Sequence, residues 1–340
     1  GDTTEASALG FYGEGASGST ARGLTIDLEQ PQDGQGITVV DSSVTLTDLH
    51  ITVAAIGFAS GISLYTSTAA IDDCVIEVAG SVDSTSGRGT TTLQSTCTFT
   101  GSTITGANFL DFIGVSAEDS SITMDGCRVS MGLASDTSYG AYVTSSTARF
   151  TNNVMYAGVV TGDDAGGSGG LIIDASDGTV WNNTLDGGSA SNAADDAKTH
   201  GIILTGAGTV RIENNIILAT AGDIRLGIKQ ITADAEPDEF NNNLIYLGDD
   251  SLGGEEAAYR YVPTDTLYQN VPALEAFLTS ASGNLIGIDP DLATDYSFTG
   301  GSPASVTSGG LDLSGEWAAA MDIAGTERTA PWSMGAYEKD

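Results

Sequence analysis

The stretch "FTNNVMY" at 150–156 returns as "VWNNTLD" at 180–186, "IENNIIL" at 212–218 and "FNNNLIY" at 240–246. Followed backwards in the same register, the chain supplies "LTDLHIT" at 46–52, "IDDCVIE" at 71–77, "FTGSTIT" at 99–105 and "MDGCRVS" at 124–130. The eight starts, at 46, 71, 99, 124, 150, 180, 212 and 240, lie 25 to 32 residues apart. That is the length of one coil of a solenoid, a unit that buries its apolar face only by stacking on its neighbours.

A second signal precedes most of these units: "GITVV" at 36–40, "GISLY" at 61–65, "GAYVT" at 140–144, "GLIID" at 170–174 and "GIILT" at 201–205. Glycine followed by alternating or β-branched apolar residues reads as a short strand. Each unit thus predicts a glycine-led strand, a tight bend, a second strand ending at the Asn or Asp pair, and a third strand such as "VMY" or "IIL". A longer Gly/Ser/Asp loop returns the chain to the next coil.

The bend after the second strand needs a residue that tolerates left-handed dihedrals, which Asn does at low cost. Stacking coils places Asn153, Asn183, Asn215 and Asn243 above one another, where their amides can form a hydrogen-bonded ladder. Inward positions carry Ile62, Leu64, Leu171, Ile173, Ile202 and Leu204, and these predict a continuous dry core. The sequence therefore predicts an all-β, right-handed parallel β-helix of about nine coils. Residues 1–22 read as a flexible N-terminal segment and cap, 23–248 as the coils, and 249–340 as the last coils, a short helix and an irregular cap. In that last part, "TLYQNVPALEAFLTS" has helical apolar spacing and predicts one helix around 272–281, with Pro272 near its start.

Lys and Arg number 11 against 45 acidic residues, a formal net charge of −34. Such a surface repels nucleic acid and anionic membrane, because binding them depends on cationic side chains replacing counterions. Cys74, Cys97 and Cys127 show no metal-type spacing and no even count for a disulfide framework; Cys74 and Cys127 fall at equivalent points of the repeat, as buried small residues do. No apolar run is long enough to span a bilayer. The polar N-terminus "GDTTEASALG" resembles the segment that follows the lipid-modified cysteine of bacterial lipoproteins.

The C-terminal stretches "IGIDPDLATDYSFTGGSPASVTSGGLDLSG" and "IAGTERTAPWSMGAYE" resemble the end of bacterial β-helix proteins grouped as choice-of-anchor Q. The matching residues are Asp289, Pro290, Asp295, Tyr296, Gly301, Ser302, Pro303, Ala304, Gly325, Arg328, Gly335, Ala336, Tyr337 and Glu338. Ser305-Val306 and Ser333-Met334 depart from the family's usual Ile-Asp and Asp-Ile. The resemblance covers about the last 70 residues and implies an exported, surface-associated protein whose C-terminal segment finishes the helix. It implies no single activity.

Chemistry on such a fold is expected along the outward face of the first strands, by analogy with carbohydrate-active β-helices. Alternation places Ser63, Thr92, Asp111, Tyr142, Ile172 and Arg225 there, with Tyr65, Asp174 and Lys229 a step further along. "DDAKTHG" at 195–201 and "DIRLGIK" at 223–229 bring Lys198, His200, Arg225 and Lys229 onto neighbouring coils, in a chain poor in basic residues. "THG" followed by "RLGIK" is similar to the GHG and RxK motifs of polygalacturonases, with Thr199 for the leading glycine and two extra residues in the second motif.

In a lyase, Lys198 or Arg225 would take the proton α to a uronate carboxylate while a cation neutralises that carboxylate. In a hydrolase, Asp174 and Asp195 would serve as acid and base. Asp111, Tyr142, Tyr259 and Tyr261 are candidates for binding sugar rings and their hydroxyls. Asp163, Asp164, Asp249 and Asp250, on glycine-rich loops, are candidate calcium ligands, although neither loop has the DxDxDG spacing.

The expectation is a monomeric scaffold at the outer cell surface, carried there as an extracellular protein or an outer-membrane lipoprotein, that binds polysaccharide or cell-surface glycan without catalysis. It would bind no nucleic acid and meet the membrane only through a lipid anchor. The alternative is a polysaccharide lyase or glycoside hydrolase acting in the first-strand groove.

Overall fold

Each coil contributes three short strands, and the strands of successive coils pair in parallel to build three sheets. The computed structural model describes residues 7–339 except 16, 30–31, 82–83, 162–166, 191–197, 249–254 and 315–320. The first sheet runs through Ser7–Glu14, Asp33–Val40, Phe58–Tyr65, Ser86–Leu93, Phe109–Glu118, Leu133–Thr144, Gly167–Asp174, Lys198–Thr205, Ile224–Gln230 and Glu255–Tyr261, then adds Thr266–Tyr268 antiparallel. The second and third sheets have ten strands each. The predicted all-β, right-handed parallel β-helix is the fold. Residues 7–22, expected within an N-terminal segment and cap, form strands of the first coil instead, with Ser7–Glu14 paired to Asp33–Val40 and Ser17–Arg22 to Ser43–Thr47.

Two columns of side-chain hydrogen bonds hold the bends in register. At the bend between second and third strands, the backbone N–H of Asn153 donates to Oδ1 of Asn183 (2.9 Å), and its Nδ2 donates to the same oxygen (3.0 Å) and to the Met124 carbonyl (3.0 Å). Asn183 repeats this toward Asn215, Asn215 toward Asn243, and Asn243 toward Asn284. On the N-terminal side the column passes through Cys127, whose N–H donates to Asn153 Oδ1, and through Cys74, whose N–H donates to Ser102 Oγ. Both thiols are therefore buried ladder residues. Asn152, Asn182, Asn214 and Asn242, one position earlier, carry the left-handed φ of 51 to 59°.

The bend between first and second strands has its own column, made of serine. The N–H groups of Ser42, Ser67, Ser95, Ser120 and Ser146 donate to Oγ of Ser67, Ser95, Ser120, Ser146 and Ser176 at 2.9 to 3.2 Å. Each hydroxyl satisfies a backbone donor that the bend would otherwise leave buried and unpaired, at a cost of roughly 1–3 kcal/mol apiece.

The glycines that lead the first strands also stack. Gly36, Gly61, Gly89, Gly114, Gly140, Gly170, Gly201 and Gly227 occupy one position of the repeat, as the registers around them show. A Cβ on Gly61 would lie 2.2 Å from Ile76 Cγ2 and 2.6 Å from the Gly89 carbonyl oxygen. The first sheet meets the third strand too closely for any side chain. The backbone bends there, so the glycine and the residue after it both turn inward, as Ile37, Ile62, Val115, Leu171, Ile202 and Ile228 do in the core. The residues one before and two after the glycine then lie side by side on the outer face, where the Ser60 and Ser63 hydroxyls bond at 3.0 Å.

The far end of the core is closed by Thr266–Tyr268 and the helix Val271–Phe277, whose N-cap Asn270 accepts from the Ala273 N–H. Phe277 stacks on Tyr268, with ring centroids 4.5 Å apart, and packs against Tyr259 and Tyr261. The remaining C-terminal segment lies along the Asn bend. Asn152 Nδ2 donates to the Met321 carbonyl, Asn214 exchanges two bonds with Leu311, and Asn242 Nδ2 donates to the Gly309 carbonyl. Buried Arg328 donates to Asn152 Oδ1, to the Ser333 and Gly335 carbonyls and to Glu338. The Tyr296 hydroxyl donates to Asp186 at 2.7 Å, and burial pushes the Asp186 carboxyl up to about 6 despite that bond.

Two variants test this account of the bends and of the glycine column. Asn183→Ala removes the acceptor of the Asn153 N–H and the donor to the Phe150 carbonyl, and is expected to cost roughly 3 kcal/mol in urea unfolding. Gly61→Ala is expected to cost about 2 kcal/mol or more through overpacking; a loss below about 0.5 kcal/mol in either would contradict the close packing described.

Candidate functional site

The outer face of the first sheet presents four positions per coil around the glycine bend: three before it, one before it, two after it and four after it. From one coil to the next these positions read Ser86, Arg88, Thr91 and Leu93; Asp111, Ile113, Ser116 and Glu118; Thr137, Tyr139, Tyr142 and Thr144; Gly167, Gly169, Ile172 and Asp174; Lys198, His200, Ile203 and Thr205. Ile224, Leu226 and Lys229 follow, then Ala257 and Arg260. Chemistry of different kinds is therefore laid out along one strip parallel to the solenoid axis.

Its first half is aromatic and acidic. The Thr137 hydroxyl donates to Asp111 Oδ1 at 2.5 Å, and the Arg88 guanidinium feels the Asp111 charge. The Tyr142 and Thr144 hydroxyls lie 3.5 and 3.4 Å from Asp174 Oδ2, as donors to it. Burial raises the Tyr139 phenol, with Asp111, Asp136 and Tyr142 adding to the shift. Burial also raises Tyr142, followed by the Asp174 charge. Both phenols therefore stay protonated as donors. Beside Tyr139 the next coil has Gly169, where a Cβ would sit 3.2 Å from Tyr139 Cδ1; the ring lies over bare backbone.

Its second half is cationic. Burial lowers the Lys229 ammonium, and the charges of Arg260 and Lys198 lower it further. Lys229 and Arg260 are directly paired across adjacent strands, and Arg260 holds Asp265 at 2.8 Å. His200 is 3 % exposed, and its Nδ1 lies 3.3 Å from the Ser168 carbonyl oxygen. Burial, then Lys229, Lys198 and Arg260, push the imidazole down to about 3, against which the Ser168 bond acts. It is a neutral ring, with Nδ1–H donating to Ser168 on this geometry and Nε2 without a partner among the described residues.

The structure thus brings Asp111, Tyr142, Asp174, Lys198, His200 and Lys229 onto one face. It removes four expected members. Arg225 is fully buried and points inward, in the column of Phe112, Ser138, Ser168 and Thr199; it donates to the Leu247 carbonyl at 2.6 Å and pairs with Glu256. Simple alternation along the strand placed it outward, and the glycine bend reverses that. Tyr259 is a core residue with no exposure, its hydroxyl donating to Gln230 Oε1 at 2.5 Å. Tyr261 packs on Phe277, 5.1 Å between rings, as part of the end cap. Thr92 is also inward and buried. Asp195, Asp163, Asp164, Asp249 and Asp250 lie outside the described residues. Among the described residues, no group of three or more His, Cys, Asp or Glu is placed to hold a metal ion.

Sequence reasoning missed Arg88 as a member of this strip, and it reached Tyr139 and Arg260 only through their nearness in sequence to Tyr142 and Tyr259. Tyr139 and Arg88 immediately precede strand glycines and Arg260 lies two after the equivalent Ala258, so the signal was the glycine itself. With the geometry in view, the comparison with known families agrees: residues 91–246 match the family model described as right handed beta helix region. The chain is a right-handed β-helix protein. Comparison with curated proteins gave no match.

The buried neutral histidine gives this face a pH signature. Its folded pKa lies below the unfolded 6.5, so the stability it contributes is present above about pH 6.5 and is lost as pH falls toward 3. Between pH 6.5 and 5 the parent is expected to lose about 2 kcal/mol more than His200→Gln in denaturant unfolding, from roughly 1.4 kcal/mol per pH unit. Parallel pH profiles for the two proteins would show that the imidazole is not buried neutral.

Proposed function

We propose that this protein is a rigid surface scaffold that binds a glycan chain along the outer face of its first sheet, without cleaving it. The observation that carries the reading is the strip itself. Tyr139 and Tyr142 offer ring faces and phenol donors, Asp111 and Asp174 are acceptors for sugar hydroxyls, and three cations follow on the next coils. Amphipathic rings beside charged hydrogen-bonding groups suit sugars, which present apolar faces and hydroxyl edges. Strands spaced about 4.8 Å apart give a face roughly 40 Å long over ten coils, suited to a polymer rather than a small metabolite. The C-terminal likeness to choice-of-anchor Q proteins supports export to a bacterial cell surface, and the lipoprotein-like N-terminus supports attachment there. The strong negative charge argues against nucleic acid as the partner.

A lyase reading is favoured by one observation, the lowered Lys229 ammonium next to Arg260. Lys229 would take the proton and Arg260 would neutralise the uronate carboxylate. The pair differs from the one expected from sequence, because Arg225 is withdrawn into the interior.

A panel of polysaccharides, titrated with and without calcium, separates the readings. Binding that falls about tenfold in Tyr142→Ala, with no new reducing ends and no ultraviolet absorbance of unsaturated uronides, is expected. Product that appears with the parent and vanishes in Lys229→Ala would establish the enzyme instead.

A further inference from the structure

Among apolar outer positions such as Ile113, Ile172 and Ile203, the charged groups of the strip divide into an acidic half and a cationic half. Glu118 and Asp174 flank Tyr142, and Asp111 flanks Tyr139. Three strand steps along, roughly 14 Å from Tyr142, Lys229 stands next to Arg260 and within the influence of Lys198. Lys229 is more than half buried and makes no hydrogen bond or ion pair among the described residues. His200 Nε2, one coil before it, is buried, unprotonated and without a partner among the described residues, so it can accept a hydrogen bond from a sugar hydroxyl but offers none to an anion. A chain with 45 acidic residues has many carboxylates with which to neutralise a lysine, yet at this point like charges lower it further. A partly desolvated cation left without a counter-charge is costly, and an anionic group of a ligand would relieve that cost.

We infer that Lys229, with Arg260 beside it, forms an anion subsite that takes a single carboxylate or sulfate group of a glycan whose neighbouring sugars, on Tyr139 and Tyr142, are uncharged. This rests on the reading of the strip as a glycan site and narrows it. A uniformly charged polyuronate is disfavoured, since its next carboxylates would meet Asp174, Glu118 and Asp111. A polymer alternating acidic and neutral sugars fits both halves. The two sources of the anion, a uronate carboxylate and a sulfate ester, are chemically equivalent to Lys229 and are separated by the choice of probe.

The experiment uses four oligosaccharides of equal length, titrated by calorimetry: hyaluronan, carboxyl-reduced hyaluronan, carboxyl-reduced chondroitin 4-sulfate and polygalacturonate. Hyaluronan is expected to bind about tenfold more tightly than its carboxyl-reduced form, with that advantage gone in Lys229→Gln and in Arg260→Gln. The same dependence on Lys229 with reduced chondroitin 4-sulfate would also support the subsite and would assign it to sulfate. Polygalacturonate binding most tightly, or native and reduced hyaluronan binding the parent equally, would overturn the subsite; the comparison on the parent protein needs no variant to fold. If the reduced polymers bind through Tyr142 and Lys229→Gln has no effect, the glycan reading stands without the anion subsite. If no polymer binds, the glycan reading itself fails.

Discussion

The whole architecture depends on how two buried bends per coil satisfy their backbone. A parallel β-helix turns the chain sharply at the same places in every coil, and each turn leaves a backbone N–H facing the coil above with no strand partner. Serine at one bend and asparagine at the other supply the missing acceptor from the neighbouring coil, Ser120 to Ser146 and Asn153 to Asn183 for example. Because the acceptor sits on the next coil, the bond fixes coil-to-coil register as well as turn geometry. A slip by one residue would break both columns at once and turn the apolar face outward.

Rigid register also fixes which side chains of different coils stand side by side on the outer face of the first sheet. Residues about 30 positions apart in the chain, such as Ile203, Lys229 and Arg260, are each held one strand spacing from the next by backbone hydrogen bonds and not by loops. The glycine column contributes a second condition. By letting first and third sheets approach closely, it turns the strand so that two adjacent outer positions per coil present their side chains together, as with Tyr139 and Tyr142. The C-terminal segment takes the opposite role. It occupies the outer side of the Asn bend, bonded to Asn152, Asn214 and Asn242.

Much of the fold was legible because its signals are periodic. The Asn pairs, the apolar alternation and the leading glycines recur at coil length, and the ladder of Asn153, Asn183, Asn215 and Asn243 follows from stacking them. The helix Val271–Phe277 matched its apolar spacing and Pro272. The serine column was equally periodic, in Ser42, Ser67, Ser95, Ser120, Ser146 and Ser176, but serine is common enough in this chain to hide a repeat. The site was less legible. Arg225 and Tyr259 looked like outward, functional side chains, and only the bend at Gly227 and Ala258 decides that they face inward. Left-handed φ at Asn152 and at the ladder-preceding residues was readable as a requirement, whereas the partner of each such side chain, Met321 or Leu311, lies far along the chain and left no trace in local pattern.

The central claim is that the Ser and Asn columns hold the coils in register, and native-state hydrogen exchange of their amides addresses it most directly. The N–H groups of Asn153, Asn183, Asn215 and Ser120, though they sit at bends, are expected to exchange only through global unfolding, as slowly as the amides of the core strands. Exchange of these amides at the rate of surface turns would mean that the bends open independently, and that the columns do not carry the architecture.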